Sequence, residues 1–135
     1  MRISKSIIYL IIFIFSISGS FSLAEDYSDS DITKVVMLGS GNPFPDPKRS
    51  GPSVAIVVND VPYLFDAGAG VWQATGAATP KYGGTVKALE SGNISKVFIT
   101  HLHSDHVVGL PSLILLPWAL GREAPLEVWG PPGTE

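Results

Sequence analysis

The fold is decided by residues 96–106, which read KVFITHLHSDH. Residues 96–100 form a β-branched and aromatic run that is typical of a buried strand. All three histidines of the chain follow this run, together with an aspartate. Residues two apart in an extended chain point to the same side, so His101 and His103 are predicted to leave the strand end together, while Leu102 points back into the core. The sequence therefore predicts a nitrogen-rich cluster at the end of a strand.

Two further donors, Asp105 and His106, extend this cluster. If the chain curls after the strand, they reach a second point a few Å away, so that one segment serves two metal ions. A lone histidine beside an aspartate is more often a hydrogen-bonded surface pair, but four donors at this spacing favour ligation. Imidazole and carboxylate together favour zinc, with iron or manganese as alternatives. The predicted ligands of two divalent metal ions are His101, His103, Asp105 and His106.

The rest of the chain alternates short strands with turns. Four more strands are predicted from β-branched runs at residues 34–38, 53–58, 61–65 and 126–129. Asn59-Asp60 has the chemistry of a tight hairpin turn, so the first three strands should be antiparallel. Residues 68–84 are rich in Gly, Ala and Thr and are predicted to be mostly loop, with a short turn of helix near residues 71–74. Short helices are expected at residues 85–90 and 111–116, the second limited by Pro117.

The segment His101-x-His103-x-Asp105-His106 resembles the HxHxDH signature of the metallo-β-lactamase superfamily. LGSGNP at 38–43 and RSGPS at 49–53 resemble the opening of its ribonuclease Z and arylsulfatase-like branch, and LFDAG at 64–68 resembles the turn after the third strand. The resemblance covers roughly residues 35–130. It implies an α+β fold, in which residues 33–135 form the N-terminal part of an αββα sandwich, and hydrolysis by a hydroxide that bridges two metal ions.

The resemblance also implies residue roles. His101 and His103 would bind one metal ion, and the pair Asp105 and His106 would bind the other, with Asp105 also orienting the hydroxide as a catalytic group. Asp66 would lie behind the ligands and orient a ligand histidine or loop amides, because a carboxylate that accepts a ring N–H fixes the imidazole tautomer. The alternative for Asp66 is that it only caps its turn through backbone amides.

The resemblance further implies that the metal site is completed by ligands from later loops: another histidine, a bridging aspartate and a final histidine. No histidine follows His106 in this sequence. Since zinc prefers four ligands, the four donors are too few for two ions. We therefore expect a fragment of a longer hydrolase that is weakly active or inactive alone, with a sheet face exposed. The alternative of another class is a truncated remnant or binding module.

The N-terminus carries an export pattern. Two basic residues precede a run of Ile, Leu and Phe at residues 7–17, and Ser22-Leu23-Ala24 suits cleavage before Glu25. The apolar run is too short to span a bilayer, so residues 1–24 are predicted to be a signal peptide and no membrane anchor remains after cleavage. Residues 25–32 are expected to be a flexible acidic lead-in. The predicted location is secreted or periplasmic, and the absence of cysteine excludes disulfides.

Charge and location guide the expected substrate. The mature chain would carry seven basic and twelve acidic side chains, which argues against nucleic acid as a partner. The expected substrate is therefore a small sulfate or phosphate ester outside the cytoplasm, cleaved by an arylsulfatase-like or phosphodiesterase-like enzyme. The alternative is a ribonuclease Z-like endoribonuclease that processes tRNA 3′ ends, whereas β-lactam hydrolysis is disfavoured. A homo-oligomer remains open.

Overall fold

The computed structural model describes residues 32–134, so the predicted signal peptide and almost all of the predicted acidic lead-in lie outside the described residues. Within them, five strands form one mixed sheet in the order β1-β2-β3-β4-β5. Strands β1 to β3 are antiparallel, and β4 and β5 join them in parallel. This architecture confirms the expected α+β class. The strands are β1 Lys34–Gly39, β2 Ser53–Val58, β3 Val61–Phe65, β4 Lys96–Phe98 and β5 Glu127–Trp129.

The hairpin between β2 and β3 has the predicted turn. Asn59 and Asp60 have φ angles of 48° and 60°, and Val58 pairs with Val61 on either side of them. Two consecutive left-handed residues match the twist of the flanking strands, and Asn and Asp tolerate this conformation better than other side chains do. The expectation of an antiparallel hairpin here is confirmed.

Three helices cover one face of the sheet, and short 3₁₀ turns connect them to the strands. The helices are α1 Val71–Ala78, α2 Ser104–Val107 and α3 Leu110–Ala119; the 3₁₀ turns are Pro80–Tyr82, Lys87–Leu89 and Ser91–Asn93. The short helix expected at residues 85–90 is thus only a 3₁₀ turn. Within residues 32–134, none of the helices has the length and hydrophobicity needed to cross a bilayer.

Helix α1 corrects the expectation that residues 68–84 are mostly loop. Its sequence, VWQATGAA, contains β-branched residues and a glycine, which have low helix propensity. Val71 and Thr75 are nevertheless fully buried, and the Thr75 hydroxyl donates to the carbonyl of Trp72 at 2.7 Å. Burial of this face stabilises a helix that local propensity alone does not predict.

Helix α3 continues past Pro117, where the sequence predicted a limit. Proline has no N–H, so the carbonyl of Leu113 loses its usual partner four residues on. The guanidinium of Arg122 replaces it, with Nη1 2.7 Å from the Leu113 oxygen and Nη2 2.9 Å from the Ile114 oxygen. Desolvation by burial lowers the pKa of Arg122, although a guanidinium remains protonated at neutral pH. The helix therefore tolerates Pro117 because a distant side chain satisfies the freed carbonyl.

Strand β4 is shorter than the predicted strand at residues 96–100. It ends at Phe98, after which Ile99 donates its N–H to the Trp129 carbonyl at 2.7 Å and Thr100 turns toward β3. Leu102 is 43% exposed, so the expectation that it points into the core is wrong. The strict alternation of side chains applies only while a chain stays extended.

The buried core lies between the sheet and the helices. Leu64 and Val97, from the central strands, are fully buried, and Leu113 from α3 packs against the same cluster. Because these residues occupy the inner positions of β3 and β4, the core fixes the ends of both strands where the histidines begin. The buried cluster consists of Leu38, Ala55, Leu64, Ala67, Val71, Leu89, Ile94, Val97, Ile99 and Leu113.

The opposite face of the sheet is also apolar. Strand register places Met37, Val54, Phe65, Phe98 and Trp129 in one row across all five strands. The rings of Phe65 and Phe98 stack at 5.2 Å between centroids, and those of Phe98 and Trp129 at 4.7 Å. Met37 is 66% exposed and Trp129 is 41% exposed. The sheet thus buries one face under helices and presents a second apolar face to solvent.

Candidate functional site

The three histidines converge where the chain leaves β4. The ring centroids of His101 and His103 lie 4.6 Å apart in an edge-to-face arrangement, and those of His101 and His106 lie 4.0 Å apart. His101 is therefore the central ring, in contact with both others. The structure brings the predicted histidines together at the rim of the sheet.

Helix α2 positions the other predicted ligands. It begins at Ser104, directly after the extended residue His103, so the chain curls into a helix where a loop was expected. This turn places an Asp105 carboxylate oxygen, Oδ2, 3.7 Å from Nε2 of His106. The two side chains are only 14% and 19% exposed. An oxygen donor and a nitrogen donor thus face the same point beside the ring of His101.

Asp66 lies behind the histidines and is itself almost buried. Its carboxylate accepts the N–H of Thr100 at 2.8 Å through Oδ1, and Oδ2 lies 2.8 Å from Nδ1 of His106. Because a carboxylate only accepts hydrogen bonds, Nδ1 of His106 carries a hydrogen, and in the neutral imidazole Nε2 then has the free lone pair. Through this contact Asp66 can hold the ring of His106 in one orientation. That this ring binds a metal ion remains a prediction.

The backbone around Asp66 is unusual and tightly anchored. Its φ of 62° is left-handed, a conformation that aspartate tolerates. Its N–H donates to the Phe98 carbonyl at 2.8 Å, and its own carbonyl accepts the Ser53 hydroxyl at 2.9 Å. On the following residue, the Ala67 N–H donates to the His106 carbonyl at 2.7 Å. The turn after β3 is therefore joined directly to the helix that carries two predicted ligands.

The donor chemistry fits divalent metal ions, but these side chains do not form a finished site. Among residues 32–134, no group of three or more His, Cys, Asp or Glu side chains has the arrangement of a formed metal site. Three imidazoles and one carboxylate are nonetheless a donor set suited to zinc. The cluster fits part of a metal-binding site, and ligation by these residues remains a prediction.

A cleft of about 740 Å³ opens beside Asp105. Residues 42–51, the long loop between β1 and β2, form one wall, and Ser104 and Asp105 lie on the other side. Lys48 and Arg49 line the loop wall. Asp46 lies on the same loop, with Oδ2 4.0 Å from Nε of Arg49, so the lining holds two basic side chains and two carboxylates, those of Asp46 and Asp105.

Sequence reasoning missed several of these residues. Thr100 contacts both Asp66 and His101, but in the sequence it looks like any β-branched residue at the end of a strand. Ser53 looks like the start of a strand, and Lys48 and Arg49 look like solvated loop charges. No local signal separates them from ordinary residues, because their contacts come from segments distant in the chain.

Curated relatives match the same region. Ribonuclease Z of Mycobacterium marinum is 36% identical over 104 residues, which are 75% of this chain and 34% of the relative. Ribonuclease Z of Mycolicibacterium paratuberculosis is 38% identical over 104 residues, with the same coverage. The chain thus spans about a third of the length of these relatives.

Solved structures agree in fold. Human tRNase Z, short form, superposes with a TM-score of 0.61 at 34% identity, covering 73% of this chain and 35% of that one. The metallo-β-lactamase fold protein YhfI of Bacillus subtilis superposes with a TM-score of 0.60 at 21% identity, covering 76% and 39%. The second match bears on the fold alone, and both support the expected sandwich architecture.

These matches correct one expectation and weaken another. The expectation that nucleic acid is an unlikely partner is contradicted by relatives named for ribonuclease and tRNase activity. The net charge of the whole chain misled, since it does not record which charged side chains line the cleft beside Asp105. The comparisons support a hydrolase of the metallo-β-lactamase fold, and they point toward ribonuclease Z rather than toward sulfate esters.

A family model covers most of the described region. The model described as Anti-Pycsar protein Apyc1 matches residues 33–122, which include β1 to β4, all three helices and every residue of the histidine cluster. The matched region ends at Arg122, just before β5. The chain belongs to the family of the anti-Pycsar protein Apyc1, within the ribonuclease Z branch of the metallo-β-lactamase superfamily.

Proposed function

We propose that this chain is part of a metal-dependent phosphodiester hydrolase that cleaves RNA, as its ribonuclease Z relatives do by name. The observation that carries the proposal is the contact of the His101, His103 and His106 rings with one another beside Asp105 at the end of β4. Hydrolysis at such a site needs no nucleophilic side chain, and this cluster offers donors rather than a nucleophile.

His101, His103, Asp105 and His106 would hold the divalent ions, for which zinc suits the donors best and iron or manganese would serve. When bound, such ions supply an activated water and stabilise the charge that develops at phosphorus. Asp66 holds the ring of His106 from behind, and Asp105 faces Nε2 of that ring at 3.7 Å. The residues of this chain thus fix the donor directions before a substrate arrives.

The cleft beside Asp105 supports a phosphodiester substrate. Lys48 and Arg49 can neutralise the phosphate groups that flank a scissile bond, and positively charged side chains dominate the recognition of RNA backbones. Phe44 is 80% exposed on the same loop and offers a surface on which a base could stack. An aryl sulfate also carries an anionic group and an aromatic ring, so the preference for RNA over sulfate esters rests on the relatives named ribonuclease Z and tRNase Z.

Export remains a separate proposal. Cleavage after Ala24 would place the protein in the periplasm or outside the cell, where precursor tRNA is absent. For an exported enzyme, the proposed substrate is therefore RNA met outside the cytoplasm. An enzyme that cleaves RNA but stays inside the cell with residues 1–24 uncleaved would support the RNA proposal and contradict the export proposal.

The decisive experiment compares substrates with metal-free and zinc-loaded protein. The full chain is incubated, at excess enzyme, with an end-labelled RNA hairpin bearing a 3′ extension, with DNA of the same sequence, and with an aryl sulfate. We expect slow, zinc-dependent cleavage of the RNA, since the chain spans about a third of its relatives, and no cleavage of the DNA or the aryl sulfate. Asp105→Asn should lower the rate by more than about 100-fold, a larger effect than the loss of a group that only orients a ligand.

The matched control is Asp60→Asn, which makes the same change at an exposed aspartate in the hairpin turn. Its rate should equal that of the unmodified chain. Zinc-dependent hydrolysis of the aryl sulfate with intact RNA would overturn the RNA proposal. RNA cleavage that survives complete metal removal would overturn the metal-dependent mechanism.

A further inference from the structure

The Thr100 hydroxyl lies between the Asp66 carboxylate and the ring of His101. Its oxygen is 2.9 Å from Oδ2 and 3.0 Å from Oδ1 of Asp66, and 3.0 Å from Nδ1 of His101. A hydroxyl has one hydrogen to donate, and a carboxylate can only accept. The Thr100 hydrogen is therefore committed to Asp66, and the Thr100 oxygen faces His101 with its lone pairs.

This direction determines the tautomer of His101. Since the Thr100 oxygen can only accept from the ring, Nδ1 of His101 carries a hydrogen, and in the neutral imidazole Nε2 is then the nitrogen with the free lone pair. His106 reaches the same state by a direct contact of its Nδ1 with Asp66 at 2.8 Å. Asp66 thus fixes the tautomer of both rings. It contacts His106 directly, and it acts on His101 through the Thr100 hydroxyl.

We propose that Thr100 is a positioning residue, which links His101 to Asp66 and holds that ring in the Nδ1–H tautomer with Nε2 free to bind a metal ion. This inference rests on the proposed metal site, and it adds a residue that makes no contact with substrate. The backbone supports the arrangement, because the Thr100 N–H also donates to Oδ1 of Asp66 at 2.8 Å. The carboxylate is therefore held in place even when the hydroxyl is removed.

The test reads the tautomers directly in metal-free protein. Long-range ¹H–¹⁵N NMR correlations of the full chain, recorded at a pH where the imidazoles are neutral, distinguish Nδ1–H from Nε2–H rings. We expect both His101 and His106 to be Nδ1–H in the unmodified chain. Thr100→Val keeps the shape without the hydroxyl and should shift His101 toward Nε2–H, while His106 stays unchanged as the internal control.

A second pair of variants separates the hydroxyl of residue 100 from the carboxylate of Asp66. Thr100→Ser keeps a hydroxyl and should retain the tautomer of His101, whereas Asp66→Asn should disturb both rings. Competition titration with Zn²⁺ should show a loss of affinity of about 10-fold to 100-fold in Thr100→Val and little loss in Thr100→Ser. If Thr100→Val folds poorly, the same NMR measurement can be made on Thr100→Ala, which also lacks the hydroxyl.

The outcomes separate this inference from the proposed function. An unchanged His101 tautomer in Thr100→Val would overturn the inference even if the unmodified chain cleaves RNA. A His101 that changes tautomer while zinc-loaded chain leaves RNA intact would support the inference and overturn the RNA proposal. Equal Zn²⁺ affinity in the Val and Ser variants would show that the hydroxyl does not prepare His101 for a metal ion.

Discussion

At the scale of single residues, Asp66 has the largest number of roles in the candidate site. Its carboxylate bonds Thr100 and His106, its backbone bonds Phe98 and Ser53, and its φ of 62° turns the chain after β3. Charge, hydrogen bonding and backbone conformation therefore depend on one side chain. Substitutions can separate these contributions, since asparagine tolerates left-handed φ and alanine does not.

Asp66→Asn removes the charge of this side chain. The amide keeps the shape and the backbone conformation but no longer accepts through two charged oxygens, so His106 should lose its fixed orientation. Zinc affinity should fall by about 10-fold to 100-fold, as measured by competition with a chromophoric chelator. Asp66→Ala should lose comparable affinity and also about 1–2 kcal/mol of unfolding free energy from backbone strain.

The control for this prediction is Asp60→Asn, another aspartate with a left-handed φ, of 60°. Its zinc affinity should not change, because it lies in the exposed hairpin turn away from the histidines. Zinc binding in Asp66→Asn equal to that of the unmodified chain would mean that Asp66 only caps its turn.

At the scale of elements, helix α3 depends on a side chain outside it. Arg122→Met should leave the carbonyl of Leu113, to which Pro117 cannot donate, without its donor, at a cost of about 1–3 kcal/mol. Urea unfolding measures this loss. Arg49→Met removes an exposed arginine, whose contact with Asp46 is 4.0 Å long, and should cost less than about 0.5 kcal/mol.

A double substitution tests the cause of this loss. Pro117→Ala restores the N–H that proline lacks, so residue 117 can again donate to the Leu113 carbonyl. Arg122→Met should therefore cost less in the Pro117→Ala background than alone, with a coupling above about 0.5 kcal/mol. Strictly additive losses would indicate that Arg122 does not stabilise the protein by replacing the N–H that Pro117 lacks.

At Gly68 the turn after β3 lies very close to the backbone of the β1–β2 loop and of helix α2. A Cβ at Gly68 would lie 2.4 Å from the Gly51 carbonyl carbon and 2.7 Å from the backbone carbonyl oxygen of Asp105, so both segments would have to move. Gly68→Ala should destabilise the protein by about 1–3 kcal/mol. Thermal unfolding followed by circular dichroism measures the change.

The matched change is Gly76→Ala inside helix α1. A Cβ there meets only the Tyr82 ring at 3.8 Å, which is ordinary contact. Alanine is the better helix former, so this variant should gain about 0.5–1 kcal/mol. Opposite signs for the two glycines would support the packing explanation, and a loss at both positions would contradict it.

At the scale of the whole molecule, charge and exposure are distributed unevenly. The chain has a formal net charge of −3, yet Lys48 and Arg49 both lie in the cleft beside Asp105. One face of the sheet is covered by helices, while the other presents a continuous apolar row that includes Met37 and Trp129. Averages over the whole chain therefore predict neither the charged side chains that line the cleft nor the apolar face.

The predicted signal peptide at residues 1–24 can be tested at the same scale. Secreted protein should begin at Glu25, and mass spectrometry of the mature N-terminus should show the loss of residues 1–24. Ala24→Trp places a large side chain at the cleavage position and should block processing, whereas Lys87→Ala, in a distant 3₁₀ turn, should not. Protein that keeps residues 1–24 and stays in the cytoplasm would contradict the export proposal.

The sequence by itself determined the elements whose signal is local. Alternating β-branched runs predicted the strands, Asn59-Asp60 predicted the hairpin turn, and the spacing of His101, His103 and Asp105 predicted a donor cluster at a strand end. These signals depend on residues within a few positions of one another, where periodicity and turn chemistry act. The α+β class and the clustering of the histidines could therefore be read without coordinates.

Only the tertiary structure decided the contacts between distant segments. Asp66 meets Thr100 and His106 across 34 and 40 positions, and Arg122 bonds the backbone of Leu113 across nine. Burial of one face made α1 a helix against its propensity, and the β1–β2 loop brought basic side chains to the cleft. Such contacts follow from the packing of one sheet against its helices, which no short stretch of sequence specifies.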